Sequence, residues 1–152
     1  MRAGSRYGLE IRSALPADAP FLAELLAGAG QAIPASELTN RLAALRVSPG
    51  AVLMATDWGP PIGLVAIQWA PSLFAAEPVA RVSALLVAGD ARRRGVARAL
   101  LKAASQAARA AGCAELQLCA PDKAADLSAF AAATGFTPLG AILTRPLRKG
   151  RP

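Results

Sequence analysis

Residues 81–118 read RVSALLVAGDARRRGVARALLKAASQAARAAGCAELQL. The run up to Val87 is nearly all apolar at its end. This predicts a strand over 79–87 that is buried on both faces. From Gly95 the periodicity changes. Val96, Leu100, Ala104, Ala107 and Ala111 recur at helical spacing, and Arg98, Lys102 and Arg109 lie along another side. Gly112 follows the last periodic residue, where a C-terminal cap belongs. AELQLCA, residues 114–120, predicts a further strand. Ala114, Leu116 and Leu118 share one face of it, and Glu115, Gln117 and Cys119 the other.

The flanking sequence extends this pattern. GLEIRS, residues 8–13, predicts a short strand. A helix follows over 15–28, with Asp18 as its cap and Phe21, Leu22, Leu25 and Leu26 at helical spacing. A second helix covers 34–46, with Ser36 as its cap. Residues 51–70 predict two strands around a turn at Asp57–Pro61. DLSAFAAATGF predicts a short helix closed by Gly135. FTPL and AILTRPL, residues 136–139 and 141–147, predict two last strands. The order is strand, two helices, three strands, helix, strand, helix, two strands. It specifies a mixed α/β fold with a sheet of six to seven strands and about four helices.

The 152 residues suit one domain, 1–152, able to bury its own core. Net charge is +7, but Arg145, Arg148, Lys149 and Arg151 carry four of those charges in a basic tail, 145–152. The mildly basic remainder suits a small polyanion as well as nucleic acid. Cys113 and Cys119 would lie about 20 Å apart along one strand, beyond the reach of a disulfide. Reduced thiols and a cytoplasmic location are expected. The apolar stretches are short and interrupted, so neither a signal peptide nor a membrane span is expected. The chain has no histidine. That excludes Ser-His and Cys-His nucleophiles, and no metal site is expected.

Residues 90–98, DARRRGVAR, lie between a buried strand and a helix. At a helix start the backbone N–H groups are unpaired and the dipole is positive. Gly95 lets a ligand approach the backbone, and Ala97 is small as well. Arg92, Arg93 and Arg94 add positive charge. The alternative is a helix start with exposed arginines, although arginines there oppose the dipole. A pyrophosphate cradle accounts for both features. The spacing matches neither a Walker loop nor the dinucleotide fingerprint G-x-G-x-x-G.

Arg92-x-x-Gly95-x-Ala97, with its flanking strand and helix, resembles the Gln/Arg-x-x-Gly-x-Gly/Ala signature of the GNAT acyltransferase superfamily. FAAATGF, ending in Gly135 and Phe136, and LTRPL resemble later segments of that family. The likeness in element order runs from about residue 9 to 147. It implies acetyl-CoA as co-substrate, bound in a slot between the two splayed strands at 79–87 and 114–120. The pyrophosphate would rest on the amides around Arg93, Arg94, Gly95, Val96, Ala97 and Arg98, beside Arg92. The pantetheine arm would pair with Leu85, Leu86 and Val87, with Phe130 also beside the cofactor. A backbone N–H near Leu85 or Leu86 is the implied oxyanion donor.

The same resemblance exposes departures. The family's usual tyrosine acid falls at Ala131, its acidic residue at Ser83, and its asparagine at about Ala124. The catalytic acid and base are therefore unassigned. Ser83, Ser128 and Cys119 are the candidates, with Asp122, Asp126 and Glu77 beside them. The only tyrosine, Tyr7, lies near the N-terminus.

The expected activity is N-acetyl transfer to an amine of a small molecule or peptide. A catalytically weak acyl-CoA-binding module is the alternative. The acceptor would be set by the two N-terminal helices and residues 70–78. Glu24, Glu37 and Glu77 either attract a cationic amine there or are simply solvated, and Trp69 is placed to line the pocket. Nucleic-acid binding predicts aromatics among the basic residues. None lies near the arginines, so neither nucleic acid nor membrane is expected as a partner. The resemblance also points to a homodimer.

Overall fold

Alternating and continuous apolar runs become six strands and four helices among the residues described by the computed structural model, which are 3–6, 8–92, 94–119 and 125–148. The chain divides into two compact units, Met1–Leu118 and Cys119–Pro152.

The first unit holds one sheet in sequential order: β1 (Ala3–Arg6), β2 (Leu9–Ser13), β3 (Gly50–Asp57), β4 (Pro61–Ala70), β5 (Val79–Val87) and β6 (Glu115–Leu118). Each neighbouring pair is antiparallel except β5–β6, which is parallel. A parallel pair needs a crossover, and α3 (Val96–Ala110) supplies it. Its buried stripe of Val96, Leu100, Ala103, Ala104 and Ala107 packs on Val65, Ile67, Ala80 and Val82. On the other face Leu64 of β4 and Met54 of β3 pack under α1 (Ala19–Gly28) and α2 (Ala35–Arg46) with Leu22, Leu25, Leu38 and Leu42. Two apolar faces thus make two cores, one on each side of the sheet. Leu22, Met54, Ile67 and Leu100 are fully buried, each contributing about 1.5–3 kcal/mol of transfer free energy.

The end of α3 follows the sequence expectation. The Gly112 N–H donates to the Arg109 carbonyl and the Cys113 N–H to that of Ala108, a Schellman closure. The cap at Asp18 works differently from expected. Asp18 stands at the N-cap position of α1, but its carboxylate makes no cap bond. Instead it accepts both arms of the Arg12 guanidinium, at 2.7 and 2.9 Å, and the Leu15 N–H at 2.8 Å. This ties β2 to the turn entering α1. Ser36 is not a cap either. Pro34 holds the N-cap of α2, and Ser36 is exposed inside the first turn.

The second unit contains α4 (Ala125–Ala133), followed by residues 134–148 without regular structure. The two strands expected at 136–139 and 141–147 do not form. Pro138 and Pro146 lack ladder donors, and Gly140 interrupts the run. Leu139, Ile142, Leu143 and Leu147 remain exposed. The sheet instead gains β1, which the sequence pattern did not announce. No described helix is long and apolar enough to cross a membrane.

Candidate functional site

The centre of β5 carries a break in register. Ala66 pairs with Ala84 but Ile67 pairs with Val82, which leaves Ser83 as an extra residue opposite β4. Such a bulge shifts the side-chain alternation by one. Before it, Ala80 and Val82 face α3. After it, Leu85 and Val87 face α3, while Leu86 packs with the core under α1 and α2. Ser83 is exposed, and its hydroxyl donates to the Ala66 carbonyl at 3.4 Å.

The same point marks the end of pairing with β6. The parallel ladder runs from Val79↔Glu115 to Val82↔Leu118. In the described sheet, Ser83–Val87 has β4 on one side and no strand on the other. Every second N–H and C=O of this half-strand therefore faces the side on which no described strand pairs. That arrangement is the half-opened pair expected of β5 and β6.

The loop after β5 passes through a short turn at Gly89–Ala91 and reaches α3 at Gly95. Gly95 is the N-cap, with φ +78, in the left-handed region that favours glycine. A Cβ placed there would meet no atom within 4 Å. The first-turn amides of Val96, Ala97 and Arg98 have no intrahelical acceptor, and that turn holds no acid. Arg92 and Arg98 are exposed. Arg94 turns away to pair with Asp57 at the end of β3, which anchors the loop to the sheet. Arg93 lies outside the described residues.

Gly63 on β4 brings the helix start close. A Cβ there would lie 2.8 Å from Leu100 Cδ1 and 2.9 Å from Val96 Cγ1. The absent side chain lets the first turn of α3 rest directly on the sheet. An isolated glycine within a strand pattern was the signal available in the sequence. The bulge and the Asp57 tether had no such signal.

Among the catalytic candidates, Ser83 and Glu77 belong to the first unit. Cys119, Ser128 and Phe130 fall in the second, where Cys119 and Phe130 are half-buried and Ser128 is exposed on α4. Ala131 and Asp126 lie on the same helix. Asp122, Ala124 and Tyr7 lie outside the described residues. Cys113 and Cys119 are both free thiols.

Beyond the bulge, towards the start of β5, lies an open groove of about 410 Å³. Gln68, Arg81 and Gln117 form a cross-strand row in it, and Trp69, Ser72 and Val79 also line it. Trp69 lines this groove. Of the three glutamates, Glu37 is paired with Arg41, while Glu24 and Glu77 are exposed. Trp58 occupies the β3–β4 turn with its indole over Gly8.

The acetyltransferase (GNAT) family model matches residues 20–136. An acetyltransferase of Trypanosoma brucei is 22% identical, with a TM-score of 0.78 over 91% of this chain and 99% of its own. A transcriptional regulator of Bacillus halodurans C-125 is 19% identical, with a TM-score of 0.82 over 91% and 99%. The ribosomal-protein-alanine N-acetyltransferase of Brucella melitensis biovar Abortus 2308 is 21% identical, with a TM-score of 0.76 over 91% and 99%. At these identities the three structures share the fold. No curated protein sequence matches the chain. The family match spans α1 to the close of α4 and includes the half-paired β5, the glycine-capped loop and α3, so the chain belongs to the acetyltransferase (GNAT) family.

Proposed function

We propose that this chain is an N-acetyltransferase that takes its acetyl group from acetyl-CoA and passes it to a primary amine of a small molecule or peptide. The amine attacks the thioester directly in a ternary complex. A C–N bond forms and the C–S bond breaks. The amine gives up one proton and the sulfur receives one, so the products are an acetamide and free CoA. The thioester supplies the activated carbonyl. The chain supplies binding, orientation and a donor for the developing oxyanion.

The observation that carries this reading is the open approach to Gly95. It stands at φ +78 with empty space where a Cβ would be, before helix amides that have no intrahelical acceptor and near Arg92 and Arg98 in sequence. A pyrophosphate fits that chemistry. The edge of Ser83–Val87, which pairs with no described strand on that side, suits the amide groups of the pantetheine arm. The bulge at Ser83 interrupts the ladder next to Leu85 and Leu86, where an oxyanion donor is required. The whole chain acts as one catalytic domain in this reading, as a cytoplasmic homodimer without a metal.

Alanine at position 131 favours a second reading, in which acyl-CoA is bound but turned over slowly. Water must then protonate the leaving thiolate, which a thiol pKa near 8.5 makes tolerable. Calorimetry with acetyl-CoA on the wild type and on Gly95→Glu tests the cradle. Binding by the wild type and its loss in the variant are expected. A panel of amines assayed for free CoA then separates the two readings. No binding by the wild type refutes both.

A further inference from the structure

We propose that the groove at the start of β5 is the acceptor site and that it selects an amine bearing a carboxylate, with Arg81 as the residue that recognises it. This rests on the acetyl-transfer reading of the neighbouring bulge.

The groove lies on the same strand as the bulge, at its other side from the phosphate-binding loop. Arg81 and Ser83 are alternate residues, about 7 Å apart along β5. An amine reacting at the bulge therefore has its nearest substituents within reach of the Arg81 side chain. Arg81 pairs with Gln68 on one side and Gln117 on the other. The Gln117 side-chain oxygen accepts from Arg81 Nη2 at 3.1 Å and from Nε at 3.4 Å. That contact fixes the plane of the guanidinium and leaves three of its five N–H donors unused by Gln117.

No described carboxylate forms an ion pair with Arg81. Glu115 follows on β6, opposite Val79, and Glu77 precedes β5, and both are exposed. The groove thus carries an exposed cation that is bonded to Gln117 and stands opposite Gln68 in the ladder, with Trp69 and Val79 in the lining. A cationic amine with no acidic group would meet Arg81 as a like charge. A carboxylate a few bonds from the nucleophilic nitrogen meets a planar fork that binds it in bidentate fashion. An amino acid is the simplest molecule of this class. One lone arginine suits a carboxylate better than a phosphate, whose three oxygens call for several donors.

The test compares N-acetylalanine with N-acetylalaninamide by calorimetry in the presence of CoA. The wild type should bind the acid roughly tenfold more tightly than the amide, about one charge-assisted contact. Arg81→Gln should abolish the difference, and Arg81→Lys should restore part of it. Equal binding of acid and amide by the wild type overturns the proposal, as does a difference that survives Arg81→Gln. Tighter binding of O-phosphoethanolamine than of alanine overturns the choice of carboxylate. An amine panel keeps the two readings apart. Turnover of amines with a KM indifferent to the carboxylate refutes this site alone. Carboxylate binding through Arg81 without release of CoA from any amine refutes acetyl transfer alone.

Discussion

Replacing Gly95 separates folding from ligand binding. Its φ of +78 costs an alanine about 1–2 kcal/mol of backbone strain. A new methyl meets nothing within 4 Å, so no packing cost adds to that figure. For a chain of this size the melting temperature should fall by roughly 2–8 °C. Asparagine tolerates the left-handed region, so Gly95→Asn should lose less. Both side chains, however, project into the space through which a pyrophosphate would reach the α3 amides. Losing one or two such charge-assisted contacts costs about 2–3 kcal/mol, or roughly 30- to 150-fold in Kd. Thermal melts and acetyl-CoA calorimetry on the same preparations read the two effects separately. Affinity should fall in both variants, although their stabilities differ. Folded variants with wild-type affinity would show that the loop is not the cradle.

Three further outcomes are expected. The Arg12 guanidinium bonded to Asp18, helped by the Leu15 N–H, holds the Asp18 carboxyl below its ordinary value of 3.8 against the opposing effect of burial. The pair therefore stabilises the fold above that pH, and its contribution is lost as pH falls through the lowered value. Asp18→Asn should cost about 1–2 kcal/mol in denaturant melts at pH 7, with the gap closing in strong acid. Gly63→Ala should cost about 1–3 kcal/mol and weaken acetyl-CoA binding too, because its methyl displaces Val96 and Leu100 at the helix start. A variant as stable as the wild type would disprove that close contact. Leu100→Ala, at a fully buried position, should cost about 2–5 kcal/mol in the same melts, and a loss below 1 kcal/mol would contradict the packing described.

Arg81 to Leu118 was the most legible part of the chain. Its helix, the strand over 79–87 and the glycine at each helix end stand where the periodicity put them, because each rests on local rules of spacing and capping, while the strand expected over 114–120 forms only at Glu115–Leu118. Legibility failed where a partner distant in sequence decides. FTPL and AILTRPL alternate as strands do, but a strand exists only with a neighbour to bond, and these segments have none in the described structure. Ser36 and Asp18 are both good caps by type. Pro34 started the second helix two residues before Ser36, and Arg12 claimed Asp18.

The candidate site divides along the same line. The glycine-capped, basic turn before α3 was written in consecutive residues, since φ, dipole and charge are local properties. Tertiary structure alone decided that Arg94 leans on Asp57, that Gly63 seats the helix, and that Ser83 is squeezed out of register. It alone set Arg81 between Gln68 and Gln117. Each depends on which residues of other strands lie opposite. Strand register is fixed by the packing of both sheet faces at once, and no single stretch of sequence contains it.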